Sequence, residues 1–264
     1  MATLARPLPR DIRLMNGVSM AIFALAIVVL VTAGVLALWR APRFAVRAIE
    51  LHGDLTRNSA ATIRANTVPR LAGNFYSLDL AAAKKVFESV PWVRQAVVRR
   101  VWPDRLAVEL HEHQPAARWT AEDGSERLVN QQGEVFEANL GDVESDGLPL
   151  LTGPEGSAAA MLDMYRRTQA LFQRMERSVA GLSLSGRGSY RVELEDGAIV
   201  EMGRGEPGEV LARTERFVAT VSQVTGHYHA PLLRADLRHA GGYAVRLRGV
   251  TVAEGPAGAK GGTP

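Results

Sequence analysis

Three groups of residues carry types and spacings that chemistry uses. Gly203, Gly205 and Gly208 match the G-x-G-x-x-G pattern. After a strand and at the start of a helix, such glycines let the backbone approach a dinucleotide pyrophosphate. That site also needs a parallel strand-helix-strand unit and an acid about 20 residues on to hold the ribose. Here the preceding strand belongs to a hairpin turning at Asp196-Gly197, which predicts an antiparallel sheet, and the counted position is Tyr228. The reading is a hairpin exit followed by a helix start, with no cofactor. His111-Glu112-His113 puts two imidazoles on one face of a strand, a beginning for zinc. Zinc takes three or four ligands. The chain has no Cys and no His-Glu-x-x-His, and His227 and His229 contribute only if the fold brings them close. Two exposed strand histidines and no metal are therefore expected. Glu193, Glu195 and Asp196 sit on a hairpin and its tip, a normal solvated place. Without a Gly-x-Ser-x-Gly elbow or a phosphate loop, nothing points to catalysis, and the chain reads as a non-enzyme.

These residues follow an element that dominates the chain. Residues 18–39, VSMAIFALAIVVLVTAGVLALW, contain no charge. As a helix they would span ~33 Å, enough for the ~30 Å hydrocarbon core of a bilayer. A signal peptide has a shorter apolar region and a small-residue cleavage site, whereas this run ends in Leu38-Trp39-Arg40. An uncleaved anchor is the reading, with Trp39 at the headgroup boundary. Arg6, Arg10 and Arg13 precede it; Arg40, Arg43 and Arg47 follow it, so charge alone leaves the orientation open. Residues 1–17, with Pro7 and Pro9, read as a disordered tail. The net charge of +3 over 264 residues comes from scattered Lys and Arg, which marks a solvated surface rather than a nucleic-acid face.

After the anchor the pattern becomes that of a soluble chain. Phe44, Val46, Ile49 and Leu51 predict a strand closed by His52-Gly53-Asp54. A short helix follows Ser59 and ends at Pro69 and Gly73; Asp79 caps a second one carrying Leu80, Ala83, Phe87 and Val90, stopped by Pro91. Two strands, residues 92–101 and 106–113, flank the turn Trp102-Pro103-Asp104-Arg105. Leu106, Val108 and Leu110 form the inward face of the second. The order is β-α-α-β-β.

Beyond Trp119 the chain is strand-rich. A tight hairpin is predicted at Gln132-Gly133, a short strand over 148–151, and a helix capped by Ser157 and running to about Arg177. Strands follow over 179–184, 190–194 and 198–202, then a helix opened by Pro207 with Val210, Thr214, Phe217, Val221 and Val224 as its buried stripe. Strands over 232–239 and 243–247 surround Gly241-Gly242, and the Gly/Ala/Pro-rich residues 251–264 read as disordered. The last strand alternates Tyr243, Val245, Leu247 with Ala244, Arg246, Arg248. As the final element it is expected at a sheet edge, where unpaired backbone groups can accept a strand from another chain or be protected by arginines.

Pro91-Trp92-Val93, the run from Val98 to Leu106 (VRRVWPDRL), Pro115, Ala116, Arg118 and Trp119, with residues 47–55 ahead of them, resemble the POTRA region of the bacterial cell-division family FtsQ/DivIB. Residues 150–157 (LLTGPEGS), Met202-Gly203-Arg204-Gly205, Arg216-Phe217-Val218 and Asp236-Leu237-Arg238 resemble that family's β domain. The resemblance implies an α+β fold: one N-terminal transmembrane helix (18–39) after a cytoplasmic tail (1–17), a POTRA domain (44–113), and a mainly antiparallel β domain with two helices (116–250), then the tail 251–264.

It further implies a division scaffold of the inner membrane, single-pass, with its large domain in the periplasm at the septum. Such a scaffold links early and late division proteins and uses the POTRA domain for recruitment. It implies FtsB and FtsL as partners, with FtsB adding a strand to the last strand of the β domain. Carried onto this sequence, the partner-binding residues are Arg213, Arg216, Asp236, Arg238, His239, Gly242, Tyr243, Val245 and Leu247. Arg213 and Arg216 lie one helical turn apart and are expected to point outward together and clamp carboxylates. His239 and Leu247 stand where the family often has an aromatic. Two rival classes are a POTRA-bearing envelope-assembly component, which would carry a run of barrel strands, and a membrane-anchored periplasmic enzyme, which would need a catalytic constellation.

Overall fold

A computed structural model describes residues 10–39, 45–53, 55–71, 73–121, 123–239 and 241–250. The first element is α1 (Arg10–Trp39), within which Leu14–Ala37 is long and apolar enough to cross a membrane. The side chains of Leu14–Ala37 are exposed, and Thr32 satisfies its hydroxyl by donating to the Val28 carbonyl at 2.7 Å. The helix starts at Arg10, not at Val18, so residues 10–17 are not a disordered tail. No proline stands between Pro9 and the end of the helix, and extending an existing helix costs little compared with nucleating it. Arg6, Pro7, Pro9, Arg40, Arg43, Phe44, Asp54 and residues 251–264 lie outside the described residues, as does the side chain of Trp39.

Beyond α1 the chain divides into two compact units at Glu112/His113. In the first unit, β1 (Ala48–Gly53), α2 (Ala60–Thr67), α3 (Leu80–Glu88), β2 (Val93–Val101) and β3 (Arg105–Glu112) give the expected β-α-α-β-β order. The sheet runs β1-β3-β2, with β1 parallel and β2 antiparallel to β3. Ser59 Oγ accepts the Thr62 N–H at 3.0 Å, and Asp79 Oδ1 accepts those of Ala81 and Ala82 at 2.8 and 3.3 Å, so both helices start where their caps predict. Ile63, Phe87, Leu106, Val108 and Leu110 are wholly buried together. The register of β2 against β3 shifts between Val93 and Gln95, a bulge at the start of the strand.

The second unit contains β4 (Pro115–Thr120), β5 (Glu126–Asn130), β6 (Val135–Phe136), β7 (Leu150–Thr152), α4 (Ala158–Gln173), β8 (Val179–Leu184), β9 (Ser189–Leu194), β10 (Ile199–Arg204), α5 (Pro207–Tyr228), β11 (Leu232–Asp236) and β12 (Ala244–Leu247). Among the described residues its strands form one nine-stranded sheet in the order β12-β11-β10-β9-β8-β7-β4-β5-β6. The core joins sheet residues such as Val192, Val200 and Met202 to Met161, Leu162 and Phe172 of α4 and to Val210, Phe217 and Val221 of α5. Burying such apolar faces supplies most of the driving force for a two-layer unit.

Three details depart from the local signals. Ser157 does not cap α4 with its side chain; its hydroxyl donates to the Pro154 carbonyl at 2.6 Å. The helix ends at Gln173 rather than near Arg177, because Glu176 turns left-handed (φ +56°) and the Arg177 N–H closes back on the Phe172 carbonyl. β11 stops at Asp236 instead of His239, because Asp236 Oδ1 accepts the Arg238 N–H at 3.0 Å and turns the chain off the ladder.

Candidate functional site

The strand order puts β12 at the end of the sheet, hydrogen-bonded to β11 alone among the described residues. The Arg248 N–H donates to the Pro231 carbonyl at 3.0 Å. In an antiparallel strand the backbone groups alternate in direction, so the N–H groups of Val245 and Leu247 turn to the outer edge. Leu247 is buried against the core, Val245 is half-buried and packs on it, and Ala244 and Arg246 are exposed.

Between α5 and the connection leading to β12 lies a cleft of about 440 Å³, lined by Arg213, Arg216, Thr220, Leu237, His239 and Tyr243, with Gly241 and Gly242 at its rim. The connection is fastened at both ends. At one end, Arg238 grips Asp236 with two guanidinium bonds, Nε to Oδ1 at 2.9 Å and Nη2 to Oδ2 at 2.5 Å. These bonds hold the Asp236 carboxyl down at about 2, against a smaller upward push from burial. At the other end, the Tyr243 ring stands edge-on to Phe217, with centroids 5.0 Å apart, and its hydroxyl meets Thr220.

The nine residues singled out in the sequence therefore fall into three places. Arg213, Arg216, His239, Gly242 and Tyr243 line the cleft; Asp236 and Arg238 brace the turn before it; Val245 and Leu247 form the edge strand. Arg213 and Arg216 do not point outward together. Arg216 is exposed, whereas the half-buried Arg213 lies back over the turn after β10 and donates Nη2 to the Arg204 carbonyl. Its partner is local, the carbonyl at the end of β10, where Gly203 and Gly205 bring no side chain beside its Nη2. Sequence reading missed Thr220, which also lines the cleft. Thr220 follows Arg216 by four residues, so helical spacing puts it on the same face.

The glycine-rich stretch corrects one expectation. β10 pairs antiparallel with β9 but parallel with β11, so β10-α5-β11 is a parallel strand-helix-strand unit after all. A hairpin signal specifies only one of a strand's two neighbours. The glycines are nonetheless filled by protein: a Cβ on Gly203 would lie 3.0 Å from Arg238 Cγ, and one on Gly205 would lie 2.8 Å from Glu209 Oε2. An anionic carboxylate thus stands against the turn where a pyrophosphate would have to sit.

The His-Glu-His stretch also differs from expectation. His111 is exposed on β3, but His113 stacks on Phe136 at 4.1 Å, and its Nδ1 bonds Asn130 Nδ2 at 2.9 Å. Glu112 is buried: its Oε2 accepts the Thr56 and Arg57 N–H groups at 2.9 Å each, and Oε1 accepts that of Asn58 at 3.0 Å. The stretch is structural, and among the described residues no three His, Cys, Asp or Glu side chains converge as metal ligands.

Comparison with known proteins adds to this picture. Residues 44–113 match the family model "POTRA domain, FtsQ-type", and residues 117–238 match "Cell division protein FtsQ/DivIB, C-terminal", so β12 lies just past the second match. The "Cell division protein FtsQ" of Thiomonas arsenitoxydans is 41% identical over 249 residues, covering 93% of this chain and 90% of the relative. That of Burkholderia pseudomallei is 39% identical over 241 residues, covering 91% and 94%, and that of Bordetella pertussis 34% identical over 255 residues, covering 90% and 92%. FtsQ is not a family of enzymes. With two matching domain models and relatives aligned over most of both chains, this protein belongs to the FtsQ family of cell division proteins.

Proposed function

We propose that the chain works as a single-pass scaffold of the inner membrane, its large domain in the periplasm at the division septum. It links early and late division proteins by binding, and it offers the outer edge of β12 to an FtsB-type partner that is itself joined to an FtsL-type chain. Residues 44–113 serve recruitment and residues 116–250 hold the partner. The observation that carries the reading is the open edge of β12 beside a cleft lined by Arg213, Arg216 and Tyr243. An added strand gains main-chain hydrogen bonds along the edge, and the segment flanking it meets the arginines of α5.

The test is a titration of the full chain in nanodiscs with the soluble portion of the FtsB-type protein from the same cell. The Val245→Pro variant removes an outward N–H and leaves the inward ladder to β11 in place. Binding lost in that variant, with an unchanged circular dichroism spectrum, supports strand addition. Binding that survives it moves the interface away from β12.

A further inference from the structure

Among the described residues outside α1, the most exposed large apolar side chain is Trp102, in the turn between β2 and β3, at 75% of its full accessibility. The turn lies at a defined end of the first unit. β1 runs parallel to β3, and Ala48 at its start pairs with Arg105 at the start of β3. The Arg47 N–H donates to the Asp104 carbonyl at 2.9 Å, and the Arg47 guanidinium stands 3.6 Å from the Asp104 carboxylate. The turn is thus fastened beside the residues by which the chain enters this sheet from α1. A second exposed aromatic is held at the same end. Arg100, two residues before Trp102, donates Nε to the Phe75 carbonyl at 2.6 Å and Nη2 to those of Tyr76 and Leu78. These bonds tie the segment before α3 to the end of β2, and Tyr76 in that segment is 49% exposed. At the other end of β2, Trp92 is buried.

Arg47 is eight residues beyond Trp39, the last residue of α1. Fully extended, that stretch reaches no more than ~27 Å. Leu14–Ala37 is long and apolar enough to cross the hydrocarbon core, which puts the end of α1 at the boundary where the headgroup layer begins. The end of the sheet that carries Trp102 is therefore the tethered end and stays within one short chain length of the headgroups. Single exposed apolar residues are ordinary on soluble domains. Trp and Tyr together at a tethered end are different: these are the types enriched in the headgroup layer, where the ring body is sheltered and the N–H or O–H stays wet. The arginines of this end are already matched. Arg105 bonds Glu50 at 2.7 Å, Arg99 stands 3.8 Å from Glu109, and Arg47 faces Asp104. A contact made here rests on the rings rather than on charge.

We infer that the Trp102 turn, with Tyr76 beside it, docks into the headgroup layer of the bilayer that α1 crosses. The tether favours lipid over a protein occupant, because it gives the bilayer a high effective concentration at this end, which a free partner lacks. The inference needs α1 in a bilayer; it needs neither the partner nor the β12 edge proposed above. Docking adds a second attachment beside the flexible one and so limits how far the first unit can swing from the membrane.

The experiment uses the full chain in phosphatidylcholine nanodiscs, with Trp39→Phe so that Trp102 is the one exposed Trp among the four; Trp92 and Trp119 are buried. The emission of Trp102 is isolated as the difference from the Trp39→Phe/Trp102→Phe variant. The expected result is emission shifted to the blue, quenched by lipid carrying a nitroxide on its headgroup and shielded from aqueous acrylamide. Because the contact is aromatic, lipid quenching should persist at high salt. A positional control places Gln95→Trp in the Trp39→Phe/Trp102→Phe background. This exposed site lies ~23 Å back along the same strand and should show the reverse, with acrylamide quenching and no lipid quenching. Trp102 quenched by acrylamide and untouched by the lipid nitroxide overturns the inference: the turn then stands in water. Protection from both quenchers also overturns it, in favour of a contact within the chain. Lipid quenching lost at high salt overturns it in favour of arginine–phosphate contacts. Equal lipid quenching at positions 95 and 102 overturns it in favour of a unit lying flat on the membrane.

Discussion

The hydroxyls of Thr220 and Tyr243 lie 2.8 Å apart, joining α5 to the chain just before β12. Thr220 has one hydroxyl hydrogen, and its Oγ1 also sits 2.9 Å from the Arg216 carbonyl, which can only accept. Tyr243 is therefore the donor to Thr220. The edge strand is thus set against α5 by one hydrogen bond and one edge-on ring contact with Phe217. Tyr243→Phe should cost about 1 kcal/mol of stability by losing the bond alone. Tyr243→Ala should cost about 2 kcal/mol and weaken partner binding more than the Phe variant does, because the connection is released. Urea unfolding and partner titration of both variants check this; equal affinity in the two would mean that the ring contact does not set the edge.

Glu112 anchors the segment before α2 to the end of β3 through the backbone N–H groups of residues 56–58, with the Thr56 hydroxyl 3.1 Å from the same carboxylate. Glu112→Gln places an amide where two acceptor oxygens are required, so at least one N–H faces a donor. The expected loss is about 2 kcal/mol. Faster amide exchange confined to residues 56–58 would identify the mechanism; global loss without local exchange would contradict it.

Much of this was legible in the sequence because local chemistry decided it. Ser59 and Asp79 fix two helix starts, Pro91 fixes a stop, and Leu106, Val108 and Leu110 declare their inward face by alternation. What escaped was decided by partners distant in the chain. The parallel pairs β4–β7, β7–β8 and β10–β11 leave no local mark, and the Asp196-Gly197 hairpin even argued against the last. The candidate site divides the same way. The edge position of β12 follows from chain order, whereas the direction of Arg213 depends on the backbone at the end of β10.

Gly53 tests the close approach of β1 to β3. It pairs with Leu110 at φ +110°, and a Cβ there would lie 2.1 Å from the Leu110 carbonyl oxygen. Gly53→Ala should therefore break the end of the β1–β3 ladder and destabilise the first unit by about 3 kcal/mol or more. Gly124→Ala is the control: φ is +81° but nothing lies within 4 Å, so only backbone strain of about 1 kcal/mol is expected. Comparable losses in the two variants would show that contact with Leu110 is not what requires glycine.

The Asp236–Arg238 pair gives the turn before β12 a defined pH dependence. The Arg238 side-chain bonds hold the Asp236 carboxyl at about 2, below the ~3.9 of an unfolded chain. The native state therefore binds this proton less tightly than the unfolded state. Its contribution is complete above pH ~4 and is lost as the pH falls from there through about 2. The pair stands at the surface, so the amount is modest, roughly 0.5–1 kcal/mol. Asp236→Asn should remove that amount at pH 7 and flatten the acid limb between pH 4 and 2. Because the same turn directs the connection to β12, partner affinity should hold from pH 7 to pH 5 as far as this pair is concerned, and should fall in the Asn variant at every pH. A carboxyl-carbon NMR titration reads the midpoint directly. A value near 3.9 would mean that the two side chains do not pair in solution, and the turn would then rest on its backbone bond to Asp236 alone.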